Sequence, residues 1–350
     1  MFFKKVSNKE IAEFNRVLSL LLIAKLPLID ALKLIKNQTK SEYFREIQVK
    51  ILEELKRGRT LSQCFEKFPT VFSKIYIANI KVGEETGNIA EVLAEYTEFQ
   101  QKFYELKQKI SMAFRYPAFV LSITVLAVLF MLLFLIPTFE ALFRSMKNEI
   151  PPITQFLLDI SGTMTEHYLT MLIGVGVSAF VGLRISKSEY FKREIGDLLI
   201  IKLPYFSDMF KKNLLSRFSL SMGLLLKNGV NLTEALSISS KISENSIFVG
   251  EISRMNKNLH KGQNIVSNIT SSKLFDKTFS QLLAAGEESA ELDKVFYMLS
   301  DFYGKEFDYK LKNLTSLIEP ILILIIGSLV AVILVAMYLP MFELINFMGA

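Results

Sequence analysis

Tryptophan is absent from this chain, histidine occurs twice and cysteine once in 350 residues. A single cysteine excludes an intrachain disulfide and any cysteine-cluster metal site. Cys64 reads instead as a small apolar filler on a helix. His167 and His260 do not recur at the repeat spacing described below, which removes both from any duplicated active centre. No GxxxxGK[ST] phosphate loop is present, so ATP chemistry of that type has no cradle here. Serine-protease and zincin arrangements are missing too. The formal charge is +6, but no zinc-finger spacing, RNA-binding aromatic signature or long basic block accompanies it, and nucleic acid is not an expected partner. The start MFFKK is basic, yet Asn8, Lys9, Glu10 and Glu13 precede the short apolar stretch 17–23. No small-residue cleavage site follows, so no secretory signal is expected. Strand alternation is nowhere sustained, which points to an all-α chain.

What the chain does have is a message stated twice. EFNRVLSLLLIAKLPLIDAL, from Glu13, is answered 204 positions later by RFSLSMGLLLKNGVNLTEAL, from Arg217. KVGEETGNIAEVL from Lys81 is answered by AAGEESAELDKVF from Ala284, at an offset of 203. Pro117 and Pro320 stand 203 apart, each at the head of a long apolar run, and IPTF at Ile136 is matched by LPMF at Leu339. The period is too long for a solenoid unit. It describes two copies of a whole domain, each tied to a membrane-length helix.

Residues 118–136 carry only Ser122 and Thr124 as polar interruptions, and residues 321–339 only Ser328 and Tyr338. Runs of about 20 apolar residues match the hydrocarbon thickness of a bilayer. A third, glycine-rich run at 168–183 is shorter. Basic residues crowd one side of these runs: Lys102, Lys107, Lys109 and Arg115 before the first, Arg184, Lys187, Lys192 and Arg193 after the second, Lys305, Lys310 and Lys312 before the third. The positive-inside rule then predicts three spans. The expected order is a cytoplasmic helical domain (1–116), a transmembrane helix (117–137), an external loop (138–167), a second transmembrane helix (168–184), a membrane-proximal linker (185–204), a second cytoplasmic helical domain (205–317), a third transmembrane helix (318–340) and an external tail (341–350).

Each soluble domain reads as a bundle of five or six short helices. Ile89, Val92, Leu93, Tyr96, Phe99, Phe103 and Leu106 recur at helical spacing, and Leu292, Val295, Phe296, Leu299, Phe302 and Tyr303 answer them. Ser7 with Glu10, and Asn231 with Glu234, have capping-box spacing. Gly58 and Gly262 sit where a helix ends in a left-handed turn. Pro204 is expected to break the linker, and Pro151 to open a short helix in the external loop.

The most enzyme-like residues are the paired acids Glu84-Glu85 and Glu287-Glu288. Three readings compete: a helix-connecting turn, a divalent-cation site, and acid–base catalysis. No histidine or acid cluster lies nearby in sequence, which favours the turn. Gly83 and Gly286 would allow the bend, and one acid of each pair would favour the amino terminus of the next helix. No cofactor is expected. In the spans, Gly174, Ser178 and Gly182 share one helical face, as do Gly327 and Ala331, and such small residues suit a transmembrane packing seam. Glu319, beside Pro320, is expected at the interface or against a partner.

These residues in this order resemble the inner-membrane platform proteins of type II secretion systems and type IV pili, with relatives in competence pseudopilus machines. Gly229-Val230, Leu232 and Glu234-Ala235-Leu236 carry one family element, answered by Leu28 and Asp30-Ala31-Leu32, with Lys25 where the glycine is expected. Gly83-Glu84-Glu85-Thr86-Gly87 carries another, answered by Gly286-Glu287-Glu288-Ser289, with Ala290 where the final glycine is common. The resemblance implies a non-catalytic platform that couples a cytoplasmic hexameric assembly ATPase to the extrusion of pilins or pseudopilins. Its implied partners are that ATPase, the pilins, other inner-membrane assembly proteins and further copies of itself. A small secondary transporter or channel with duplicated cytoplasmic domains is the alternative. Three spans and the lack of an intramembrane ionisable group count against it, and the lack of a clustered catalytic set counts against a membrane enzyme.

Overall fold

A computed structural model describes residues 6–139, 151–167, 204–243, 245–272 and 274–348, with Thr170, Gly174, Ser178, Val181, Gly182 and Arg184. Most of the expected second span and its linker therefore lie outside the described residues, which are helical throughout their regular elements. The first repeat folds as α1 (Asn8–Ile23), α2 (Leu28–Gln38), α3 (Glu42–Lys56), α4 (Leu61–Glu66), α5 (Lys74–Thr86) and α6 (Ile89–Ala113). After it come α7 (Arg115–Phe130), a π-helical turn (Met131–Leu135) and α8 (Pro152–Glu166). The second repeat folds as α9 (Pro204–Lys227), α10 (Leu232–Ser240), α11 (Ser246–His260), α12 (Ile265–Thr270), α13 (Lys277–Glu288) and α14 (Leu292–Met348). Two helical runs, 89–139 and 292–340, are long and apolar enough to cross a membrane.

Local chemistry sets the helix ends. The Ser7 hydroxyl accepts from the Glu10 N–H at 3.2 Å while the Glu10 carboxylate accepts from the Ser7 N–H at 2.8 Å, a complete capping box. Asn231 Oδ1 accepts from the Glu234 N–H at 2.9 Å. Gly58 and Gly262 take φ of 85° and 82° just past α3 and α11, as their spacing predicts. Pro151 caps α8, and α9 starts on Pro204.

The two prolines that head the apolar runs behave differently. Pro117 cannot donate to the Ala113 carbonyl four residues back, and α6 stops at Ala113, with one turn residue before α7. Pro320 sits inside α14, which continues through it and through Pro340 to Met348, so the expected tail beyond 340 is helical as far as the structure describes it.

The described residues form two compact units, 1–108 with 193–308 and 109–192 with 309–350. In the first, both six-helix lobes share one continuous apolar core. The first lobe centres on Phe14, Phe44, Phe65, Phe72 and Tyr76; the second on Phe218, Phe248, Phe279 and Phe296, all fully buried. Cys64 is buried in α4, as expected of a filler, and burial pushes its thiol pKa up. Phe302 departs from expectation. It is 40% exposed, whereas its counterpart Phe99 is 7% exposed. In the second unit, exposed apolar side chains stand on α7 (Phe119, Leu126), on the π-helical turn (Phe134) and on α14 (Leu324).

Candidate functional site

The paired acids are not at a bend. Gly83, Glu84 and Glu85 lie in the last turn of α5, and Gly286, Glu287 and Glu288 in the last turn of α13. The left-handed residues come later, at Gly87 (φ 74°) and Ala290 (φ 57°). Gly83 and Gly286 serve close packing instead. A Cβ on Gly83 would lie 3.1 Å from the Ile89 Cα, and one on Gly286 2.7 Å from a Val295 methyl. The helix hairpin can close only where no side chain stands between its arms.

Glu84 does reach a helix amino terminus, but that of α4 rather than of the next helix. Its carboxylate accepts from the Leu61 N–H, from the Ser62 N–H at 3.1 Å and from the Ser62 hydroxyl at 2.5 Å. It thus satisfies amide donors that an α-helix leaves open and meets the positive end of its dipole. These three donors occupy both carboxylate oxygens. The Glu287 carboxylate makes no hydrogen bond or ion pair among the described residues; Val266 stands where the first lobe has Ser62, and Asn264 caps that helix. Glu85 and Glu288 are exposed. The structure therefore brings together only one of the four acids with a defined partner set. Among the described residues no group of three or more His, Cys, Asp or Glu side chains has metal-binding geometry.

The joint between the lobes gave no motif in the sequence. The Asn79 side chain, fully buried in α5, donates to the Ile75 carbonyl at 2.7 Å and accepts at 2.7 Å from Nδ2 of Asn228, the residue just past α9. Lys227 pairs with Glu95 at 2.6 Å, and that hydrogen bond first of all raises the lysine pKa. Asn213 Nδ2 donates to the Leu106 carbonyl at 3.3 Å, and the Arg217 guanidinium lies 4.5 Å from the centre of the Phe103 ring. Helix α9 is thus stitched along α5 and α6.

A second polar hub closes the other lobe. Asp276 caps α13 through the Phe279 N–H at 2.9 Å, accepts from the Tyr303 hydroxyl at 2.5 Å and pairs with Lys212 at 3.1 Å. Burial works to raise its carboxyl pKa, but these three partners outweigh it and hold the group below the usual carboxylate range. Burial and the Asp276 bond push the Tyr303 hydroxyl far up. In the first lobe, Ser73 occupies the place of Asp276, capping the Tyr76 N–H and meeting the Tyr96 hydroxyl at 3.3 Å.

In the second unit, two prolines create matching gaps. In the π-helical turn the Ile136 N–H donates to the Met131 carbonyl, so the Leu132 carbonyl is due a donor from residue 137, which is proline. In α14 the Ala336 carbonyl is due one from residue 340, also proline. Helix α8 supplies both. The Ser161 hydroxyl donates to the Leu132 carbonyl at 2.6 Å, and the Thr154 hydroxyl to the Ala336 carbonyl at 2.5 Å. The two donors are seven residues apart, two turns along one face, and both are buried. IPTF and LPMF exposed the prolines to sequence reading; nothing marked Thr154 and Ser161 as their partners.

The expected small-residue seam is not used by these contacts. Gly174, Ser178, Gly182, Gly327 and Ala331 are all exposed. A Cβ on Gly174, Gly182 or Gly327 would meet nothing within 4 Å. Packing in α14 falls on Ile333 and Ala336 instead. Glu319 is exposed and lines a cleft of about 300 Å³ with Lys312, Thr315, Tyr116 and Pro117.

Residues 14–137 and 218–340 each match the family described as Type II secretion system (T2SS), protein F. The chain belongs to this family. The double match coincides with the internal repeat and covers both membrane-length helices. The type IV pilus assembly protein PilC of Pseudomonas aeruginosa is 29% identical over 99% of this chain and 92% of its own length. The PilC of Thermus thermophilus is 31% identical over 97% and 83%. The type II secretion system protein F of Pseudomonas aeruginosa is 23% identical over 99% and 86%. The family is that of the secretion and pilus platform proteins, as the motifs in both repeats imply.

Proposed function

We propose that this protein is a non-catalytic inner-membrane platform that couples a cytoplasmic assembly ATPase to the extrusion of pilin or pseudopilin subunits. One observation carries the reading most. Each helical lobe hands its last helix into an apolar run of membrane length, and the two lobes are bound to each other through α9. Force applied to either lobe then has a helical path toward a span. The energy comes from the ATPase, because this chain has no phosphate loop.

The charge pattern supports cytoplasmic placement of 1–116 and 205–317, with 138–167 and 341–350 external and a further span at 168–184. Further copies of the chain or pilin transmembrane helices are the natural occupants of the exposed small-residue face of Gly327 and Ala331.

Loss of the gene should abolish surface pili or pseudopilus-dependent secretion in the host. The detergent-solubilised protein should co-purify with the hexameric ATPase and hydrolyse no ATP by itself. Turnover by the protein freed of that ATPase, or normal pili and secretion without the gene, overturns the proposal.

A further inference from the structure

Helix α8 has three sides, where a helix between a protein core and water needs two. At about 100° per residue, Thr154, Leu158 and Ser161 fall on one side, from which the two hydroxyls bracket α14 and the π-helical turn. Gln155, Asp159, Thr163 and Glu166 fall on a second side and are all exposed. Ile153, Phe156, Leu157, Ile160 and Met164 fall on the third, a stripe without a single charge. Phe156 on this stripe is 63% exposed.

The brackets fix the level and the direction of the helix. The Leu132 and Ala336 carbonyls stand four and three residues before the ends of the apolar runs 118–136 and 321–339, which close at the matching motifs IPTF and LPMF. Both carbonyls therefore lie about 5 Å inside the ends of their runs. Thr154 and Ser161 are themselves about 10 Å apart along α8. The helix thus crosses the two runs near one level instead of descending beside them. That depth is the one at which an amphipathic helix rests between headgroups and acyl chains. Around it the runs themselves expose Phe134 and Val335. The polar side of α8 holds Asp159 and Glu166 and no lysine or arginine, so attraction to anionic lipid does not hold it down. The two brackets do.

We propose that α8 is an interfacial helix and not part of a loop clear of the membrane. It lies in the membrane plane, with Phe156, Ile160 and Met164 among the acyl chains of the leaflet where both spans end and Asp159, Thr163 and Glu166 in water. Lipid is then the partner of its apolar stripe. The proposal presupposes that 118–136 and 321–339 are spans, the reading given above, but not which face of the membrane is external.

The chain has no tryptophan, so Phe156→Trp, Thr163→Trp and Leu126→Trp each give the full-length protein a single reporter. Leu126 is exposed in the middle of the first run and serves as the span control. Each variant is reconstituted in phosphatidylcholine vesicles. Quenching by phosphatidylcholine brominated near the headgroup end of its chains is compared with quenching by iodide on both sides of the membrane. Phe156→Trp should be quenched several-fold more by the brominated lipid than by iodide, and Thr163→Trp the other way round. Should Phe156→Trp fail to fold, Ile153→Trp, on the same stripe, carries the same expectation. Iodide prevailing on the stripe while Leu126→Trp still answers to lipid overturns the proposal and leaves the spans intact. A stripe reporter shielded from both quenchers also overturns it, since protein would then cover the stripe. Iodide quenching of Leu126→Trp overturns the spanning reading and this proposal with it.

Discussion

Set in register, the first and second lobes keep the same cluster of rings but draw one ring from a different helix. In the first, Phe65 of α4 packs against Phe14, Phe72 and Tyr76. In the second its counterpart is Ile269, and Phe296 of α14 packs against Phe218 and Phe279 instead. The apolar volume is conserved while the polar joints are not. Glu84 clamps α4, whereas Glu287 clamps nothing among the described residues. Asp276 gathers Tyr303, Lys212 and an amide, whereas Ser73 meets only Tyr96 and an amide. A duplicated fold tolerates redistribution of rings because area removed from water has no direction. Hydrogen bonds do have direction, so each copy had to solve them separately.

Four pairs of substitutions sharpen this contrast. Phe99→Asp should cost the most, about 4 kcal/mol or more, because it leaves a charge unpaired among Tyr96 and Phe103. Phe302→Asp, at an exposed counterpart, should cost less than about 1 kcal/mol. Urea unfolding of the detergent-solubilised protein measures both; equal losses would break the distinction between the two faces. Next comes the acid clamp. Glu84→Gln should destabilise by about 2 kcal/mol, since it weakens three bonds to a charged acceptor, while Glu287→Gln should stay within about 0.5 kcal/mol. Hydrogen exchange at Leu61 and Ser62 should rise only in the former. The smallest effects concern the left-handed turns. Lys25 and Ala290 hold φ of 60° and 57° where the opposite copy has Gly229 and Gly87. Lys25→Gly and Ala290→Gly should each stabilise by about 1 kcal/mol, and Gly229→Ala and Gly87→Ala should each destabilise by a similar amount. Loss of stability in the glycine variants would mean that the side chains are needed for contacts.

Sequence reading reached the helices, their caps and the repeat because those features are local and periodic. Ser7–Glu10, Asn231–Glu234, Gly58 and Gly262 each announce an end within four residues. It misplaced the acidic turns for the same reason. Gly83 looked like a bend because a bend is what a glycine near two acids suggests locally, whereas its role is to admit Val92 and Ile89 across a hairpin. Two further features were invisible because their halves are far apart in the chain: the Glu84 clamp joins residues 22 and 23 positions apart, and Asn79 meets Asn228 across 149. The lone exposure of Phe302 also followed from tertiary packing, since its spacing is identical to that of Phe99.

The brackets on Leu132 and Ala336 bear on how many ways the second unit can move. Each proline, taken alone, would give its helix a hinge, and two hinges are two independent motions. But both carbonyls take their donor from one short rod, α8, through hydroxyls two turns apart. Flexing one helix without the other would strip a buried carbonyl of its only replacement donor, at a cost of about 1–3 kcal/mol. The two motions therefore collapse into one shared coordinate, with residues 152–166 as its yoke.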